Sequence, residues 1–496
     1  MGYTLGIDIG TFESKGVLVN HYGEIVSQAN KSHKMLVPKP GWAEHRPEED
    51  WWDDFCFISS TILSKTGIAP EEIKAVACSA IGPCMLPVDH NGNPLTNGVL
   101  YGVDNRAEQE VKELTKRIGE KIILEKCGNA LTSQSVGPKI LWFKRQHPKL
   151  FKKTHKILTS TSFIVYRLTG KYVIDHYTAA NFSPLYDVNH QKWFDDLAVD
   201  IADLDKLPDL KWSNEIVGSI TNSASKLTGL AEGTPVTTGT IDAAAEAFSV
   251  GVIEPGDMMS MYGSTIFIIL RTAKPVLDAR LWYAPWLFEG QHASMAGLAT
   301  SGTLTHWFRD QFAKEMSPES AIETLVKESK ASPPGAKGLL LLPYFSGERT
   351  PIHDATAKGV FFGLNLTHNR GDMFRALIEG IAYGTRHVTE TFVELGQQPN
   401  NLFAVGGGTK NSIWLQSTSD IIGIDQEVRE KTIGASYGNA FLAALSIGKV
   451  VKSDINKWNP VIRKIKQQKH PNYESNYKIF RQLYEKTKGL MAQLKT

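Results

Sequence analysis

The sequence predicts an α/β protein that uses one design twice, and three observations carry that expectation. The first is LGIDIGTFESKGVLVNHYGEIVSQA, Leu5 to Ala29. Leu5, Ile7 and Ile9 suit a buried strand and Gly10 opens a turn. Gly16–Val19 is a second strand, Tyr22–Gly23 a turn, and Glu24–Ala29 a third strand. The second is MMSMYGSTIFIIL in the other half. Met258–Tyr262 is strand-like, Gly263-Ser264-Thr265 is a small hydroxylated turn, and Ile266–Leu270 is strand-like again, as a duplicated unit requires. The third is length: 496 residues hold two domains of ordinary size, each able to bury its own core. The EPGD loop, Glu254–Asp257, separates the halves and gives domains 1–251 and 252–496.

The remaining elements follow in order. Pro47, Glu48 and Asp50 start a helix whose buried face is Trp51, Trp52 and Phe55. Ile73–Cys78 is a buried strand feeding the loop Ser79–Cys84, and Met85–Val88 resumes as strand. Asp104 and Arg106 in YGVDNRA start a charge-rich helix. Pro138–Pro148 is helical, with Trp142 and Phe143 buried. Lys156–Ser160 is strand-like, and Ser162–Gly170 is a helix stopped by its glycine. Asp175–Asn214, rich in Trp, Pro and Asp, reads as an irregular insertion. Thr234–Gly251 supplies a strand, a small-residue turn and the helix Ala243–Phe248.

In the second half, Ala299–Phe312 is a glycine turn running into a helix, and Leu339–Pro351 a buried strand ending in a polar loop. A long helix follows with Asp372 in its first turn and the stripe Met373, Leu377, Ile381, Val388, Phe392. Leu402–Gly423 is a strand, a triple-glycine turn and a helix. Gly434–Leu445 is a small-residue helix, and Pro471–Leu494 an amphipathic one whose basic residues form a solvated face.

Composition narrows the class. A net charge of +2 is too balanced for a nucleic-acid or membrane partner, and no apolar run approaches the length of a membrane helix. Cys56, Cys78, Cys84 and Cys127 show neither CxxC pairing nor framework spacing, and the start of the chain lacks a basic and apolar leader. A soluble, cytoplasmic protein is expected. The 14 histidines show no metal-ligand spacing.

Chemistry is carried by three glycine turns after apolar strands, at Gly10-Thr11, Gly263-Ser264-Thr265 and Gly406-Gly407-Gly408. Glycine lets backbone N–H groups approach an anion because no Cβ intervenes, although none of these turns matches the dinucleotide or Walker patterns. Asp8 ends its strand beside the first turn, where a carboxylate needs a cation such as nucleotide-bound magnesium. Asp242, in TGTIDAAAE, lies at a helix start beside small residues that let a substrate approach. It reads either as a general base or as an acid stabilised by the helix dipole. Glu348 and Arg349 read as a salt bridge holding a loop, and Trp42 as structural.

DIGTxxxK with a distant YGST turn resembles the sugar kinase/actin/heat-shock-chaperone ATPase superfamily. Within it, KILWFKRQ (Lys139–Gln146), GERTP (Gly347–Pro351), GVFFGLNLTHNRGDMFRALIE (Gly359–Glu379) and GGGTKN (Gly406–Asn411) resemble the FGGY family of carbohydrate kinases. Gln134, Val136 and Leu377 depart from the family signatures. The resemblance, xylulokinase-like, implies two ribonuclease-H-like domains flanking a deep cleft, with sugar mainly on the first and ATP mainly on the second. It implies Asp242 as catalytic base and Asp104 and Arg106 near the sugar, with Tyr101 where the family has Trp. It implies ATP contacts from Asp8, Gly10, Thr11, Ser14, Lys15, Gly263, Ser264, Thr265, Gly302, Thr303, Gly406, Gly407, Gly408 and Asn411, and magnesium held by Asp8 through water.

Xylulokinases carry a Met-His pair that contacts the ketose, and glycerol kinases an Arg-Glu pair. Here Gly82 and Pro83 occupy those substrate-facing positions. The expected reaction is transfer of the γ-phosphoryl group of ATP to a terminal hydroxyl of a small sugar, in the ketopentose class. A different polyol, sugar acid or ketose is the alternative acceptor. An actin-like ATPase or sugar sensor without kinase turnover is the alternative outside the class. A homodimer is left open.

Overall fold

The structure is a computed structural model that describes residues 2–194, 196–197 and 200–494. The chain divides into two compact units. The first comprises Met1–Ile253, Lys274–Ala293 and Ile433–Pro460, the second Glu254–Ala273, Ser294–Thr432 and Val461–Thr496.

The first unit contains β1 (Tyr3–Ile9), β2 (Glu13–Asn20), β3 (Ile25–Ser32), α1 (Asp53–Thr66), β4 (Ile73–Ala80), α2 (Ser160–Thr169), β5 (Ile216–Ser219), β6 (Pro235–Thr237), β7 (Thr240–Ile241) and α3 (Asp242–Ser249). Its sheet runs β5-β6-β4-β1-β2-β3, with β7 also pairing with β4. β1 is antiparallel to β2 and parallel to β4. Leu5, Ile7 and Ile9 are fully buried, and Phe55, Ile58 and Ile62 of α1 join the same core.

The second unit repeats that centre. It contains β8 (Asp257–Tyr262), β9 (Ile266–Thr272), β10 (His292–Leu298), α4 (Gly302–Phe312), α5 (Arg370–Glu394), β11 (Asn401–Val405), α6 (Ser412–Ile422) and β12 (Gln426–Arg429). The chain then returns to the first unit for α7 (Ala435–Ser446) and ends with β13 (Val461–Ile465) and α8 (Pro471–Met491) in the second. Strand order is β10-β9-β8-β11-β12-β13. β8 is antiparallel to β9 and parallel to β11, as β1 is to β2 and β4. α5 starts with a capping box, Asn369 accepting the Asp372 N–H while Asp372 accepts that of Asn369.

Some elements differ from the sequence expectation. Trp142 is only half-buried, and its ring faces Trp42 at 5.3 Å and Arg106 at 5.1 Å. Pro148 stops one helix and opens another, Pro148–Lys153. Proline is tolerated at a first helical position, where its missing N–H has no partner to lose. Within Leu339–Pro351, expected as a strand ending in a polar loop, the strand is Leu340–Leu342. Asp104 and Arg106 precede the helix Glu108–Ile118 rather than begin it. The irregular stretch Asp175–Asn214 holds short strands at Tyr186–Asp187, Lys192–Trp193 and Asp209–Lys211; its positions 195, 198 and 199 lie outside the described residues. Among the described residues, no helix is long and apolar enough to cross a membrane.

Candidate active site

In the first unit, Asp8, Ser79 and Thr240 fall in one row across three adjacent parallel strands, Asp8 opposite Ser79 and Ser79 opposite Thr240. The carboxyl ends of these strands therefore share an edge, where open α/β sheets place their ligands. Asp242 follows Thr240 closely, opens α3 and emerges at that edge, its Oδ1 accepting the Ala243 N–H at 2.7 Å. Asp8 Oδ1 accepts from Ser79 Oγ at 2.6 Å. Asn439 Nδ2 of α7 donates to Ser79 Oγ at 2.8 Å and to Ile7 O at 2.9 Å, which fixes this row from behind.

The electrostatics of this edge are those of crowded acids. Burial pushes Asp8 up to about 6, against the Ser79 hydrogen bond and the Lys15 charge. Lys15 faces Asp8 across β1 and β2 and ion-pairs with Glu13 at 3.1 Å. Asp242 is raised well above the carboxylate range by burial and by the charges of Asp8 and Glu246. Glu246 itself is pushed up to about 7 by burial and by Asp8. It lies at i+4 from Asp242, hence on the same helix face.

Other residues expected at ligands also have partners within the protein. Gly10 N–H closes its own turn onto Glu13 O at 3.2 Å, and Gly263 N–H does the same onto Thr265 O at 3.1 Å. These two N–H groups serve the hairpins rather than an anion. Thr11 Oγ1 lies 3.3 Å from Tyr101 Oη. Ser14 is fully buried and donates to Asp54 Oδ2 at 2.7 Å. Asp104 is fully buried and accepts from Ala43 N–H at 2.7 Å and from Arg106 Nε at 2.9 and 3.0 Å. Arg106 Nη2 bridges Asp104 and Glu44, each at 2.8 Å, and its guanidinium lies 4.0 Å from the Trp42 ring. Asp104, Arg106 and Trp42 thus form one closed cluster.

The Gly82-Pro83 loop follows β4 and reaches the same edge, since a Cβ on Gly82 would lie 2.8 Å from the Ile241 side chain, next to Asp242. Cys84 is fully buried, its thiol pushed up to about 12 by burial and donating to Ile81 O at 3.4 Å.

In the second unit, the glycine turns converge. Gly302 and Thr303 dock on the Gly263-Ser264 turn: Gly302 N donates to Gly263 O at 3.0 Å and Thr303 N to Ser264 O at 3.2 Å. A Cβ on Gly302 would lie 2.4 Å from Gly263 O, so only glycine permits this approach. Gly406, with φ of 89°, packs on the Tyr262 backbone, while Gly407 has open space around it. Asn411 caps α6 by accepting from Ile413 and Trp414 N–H, both at 3.1 Å. Glu348 does hold a loop, but by accepting the backbone N–H groups of Ala299 and Arg349, both at 2.7 Å.

Four residues that contact these elements escaped the sequence reading: Glu246, Asn439, and the pair His33 and His45, whose Nε2 atoms lie 3.0 Å from Gly10 O and Thr11 O. Glu246 was legible in principle from its i+4 spacing to Asp242. The others act across long sequence separations and leave no local signal.

A carboxylate-rich strand edge in one unit and three converging glycine turns in the other define a phosphate-handling α/β enzyme of two related units. Residues 3–249 match the model of the FGGY family of carbohydrate kinases, N-terminal domain, and residues 258–447 that of its C-terminal domain. The xylulose kinase of Bacillus subtilis is 29% identical over 504 aligned positions, covering 100% of this chain and 99% of that protein. The crystal structure of xylulose kinase from Rhodospirillum rubrum superposes with a TM-score of 0.93 at 28% identity, covering 99% of each chain. A gluconokinase of Bacillus subtilis is 27% identical over 91% of this chain and 89% of its own. The chain belongs to the FGGY family of carbohydrate kinases. It is an ATP-dependent sugar kinase.

Proposed function

We propose that this kinase transfers the γ-phosphoryl group of ATP to a terminal hydroxyl of a small sugar of the ketopentose class, in the cytoplasm. Asp242 is the base that takes the hydroxyl proton. The observation that carries this is the place of Asp242, at the carboxyl edge of the sheet, with no cation holding its carboxylate among the groups that shift it. A phosphoryl transfer needs positioning, charge neutralisation and an aligned base rather than covalent help. Sugar is assigned to the first unit, where Asp242 lies with Gly82 and Pro83. ATP is assigned to the turns of the second unit and to the Gly10–Lys15 hairpin.

Magnesium fits the donor set: Asp8 is a hard oxygen ligand whose charge burial makes costly and whose charge in turn raises Asp242, and a cation would relieve both. Among the described residues, no three His, Cys, Asp or Glu side chains form a metal cage. An ion carried by the nucleotide and contacted by one carboxylate through water suits that arrangement, and it would neutralise phosphate charge.

Protonation of Asp242 should abolish activity, so kcat/KM falls as pH drops through its raised pKa. The acid limb then lies above the ordinary carboxylate range of about 3.9. Glu246→Gln removes a charge that raises Asp242, so its acid limb should move to lower pH. A limb that stays where it is would detach Glu246 from the base.

Gly82-Pro83 favours a second reading of the acceptor, as another ketose, a polyol or a sugar acid rather than D-xylulose. With no polar side chain at that position, the hydroxyl it would serve is buried without a partner, a cost of about 1–3 kcal/mol or roughly 5- to 150-fold in discrimination. The buried thiol of Cys84 offers no substitute. Coupled ADP formation across pentuloses, hexuloses, tetritols and sugar acids should rank D-xylulose below another acceptor. D-xylulose ranking first by a wide margin would overturn the loop as specificity element while leaving the kinase reading intact.

A further inference from the structure

The Gly10-Thr11 turn is gripped by two buried imidazoles whose protonation states the geometry fixes. His33 Nε2 lies 3.0 Å from Gly10 O, and His45 Nε2 lies 3.0 Å from Thr11 O. A carbonyl oxygen only accepts, so both Nε2 atoms carry protons. His45 Nδ1 receives the Trp51 indole N–H at 3.0 Å. An indole N–H only donates, so His45 Nδ1 is bare and the ring is neutral. His33 Nδ1 instead faces Asp54 Oδ2 at 2.8 Å, and its side chain is 3% exposed. Asp54 also accepts from Ser14 and ion-pairs with Lys31 at 3.0 Å, as an ionised carboxylate does. With acceptors at both nitrogens, His33 is an imidazolium.

We propose that His33 and His45 are positioning residues that lock the Gly10-Thr11 turn for the phosphates of ATP, His33 as an imidazolium and His45 as a fixed neutral donor–acceptor. This rests on the reading that the turn serves ATP. The charged and titratable groups facing His33 are Asp54 of α1 and Asp50 of the helical turn before it, Lys31 at the end of the preceding strand β3, and His45, whose ring lies 4.9 Å away. Burial opposes charge on His33, yet Asp54 and Asp50 hold it above the ordinary range. Burial and the His33 charge together push His45 down to about 4. As pH rises through the raised pKa of His33, it loses one of its two donors, and either Gly10 O or Asp54 is abandoned.

The test pairs spectra with kinetics. In 15N-histidine spectra of the whole chain, assigned with His33→Gln and His45→Gln, His33 should be doubly protonated at pH 7 and His45 an Nε2–H tautomer that stays neutral at pH 5. A single N–H on His33, or a second proton on His45, overturns the assignment. His33→Gln offers one donor group where two acceptors wait, so kcat/KM for ATP should fall roughly 10- to 100-fold, the scale of a small misplacement. The alkaline limb that wild type shows in this parameter should be absent from the variant. His45→Gln can donate to Thr11 O and accept from Trp51, so it should rescue most of what His45→Leu loses. Equal damage in both His45 variants, or unchanged ATP kinetics in all variants, overturns the positioning role. A wild-type chain that forms no ADP with any acceptor would refute the function reading instead, and the spectra would still decide the histidines.

Discussion

Asp242→Asn should lower kcat by about 10²–10⁴-fold, the range expected for losing a positioned base. Asparagine keeps the shape and can still accept the Ala243 N–H through its carbonyl oxygen, so α3 should start as before. Its charge is what disappears. The folded pKa of Asp242 is raised above its unfolded value, so the ionised carboxylate costs stability once pH rises past the unfolded value, and that cost grows through the folded one. The Asn variant should therefore be at least as stable as wild type near neutral pH, with the difference vanishing in acid. Turnover measured by coupled ADP formation, beside a thermal melt at two pH values, checks both halves. Near-normal turnover at neutral pH would show that Asp242 is not the base. Lost turnover with a collapsed melting temperature would show a structural acid.

Arg106→Met should destabilise the first unit by about 3–5 kcal/mol, the cost of leaving a buried charge without its partner. Asp104 is fully buried and both its oxygens take hydrogen bonds from the Arg106 guanidinium, so the variant leaves that carboxylate with two backbone N–H groups, of Ala43 and of residue 106, and no countercharge from that side chain. Methionine keeps much of the packing between Trp42 and Trp142, which isolates the electrostatic part. Urea unfolding followed by intrinsic fluorescence gives the loss. Arg106→Lys should fall between, because an ammonium cannot reproduce the guanidinium fork. A stable Arg106→Met protein with a raised KM for sugar would instead return these residues to the substrate, as the family resemblance implied.

The duplicated centre was legible because each strand–turn–strand segment is written locally. Alternating apolar residues, a glycine and a hydroxylated turn lie within a dozen or so positions in both halves. Helix limits were legible where a glycine marks them, as at Gly170. The polar half of the site was less so. Ser14, Asp104, Arg106 and Asn411 were expected at ligands, and the sequence did not show that their hydrogen-bonding groups also meet Asp54, Ala43, Glu44 and the first turn of α6. Whether a polar side chain serves a ligand or a neighbour depends on what faces it, and most of these partners lie far away in sequence.

By itself, then, the sequence determined the two α/β units, the glycine turns that open them and the carboxylates Asp8 and Asp242 at strand and helix ends. Periodicity and turn chemistry are short-range properties of the chain. The tertiary structure alone decided that Lys274–Ala293 and Ile433–Pro460 belong to the first unit, and that Asn439 backs the Asp8 row. It also decided that Glu246 shares the field of Asp242 and that two histidines hold the Gly10-Thr11 turn. These facts depend on strand order and on burial, and burial turns a nearby charge or an unmatched donor into a constraint strong enough to fix a proton.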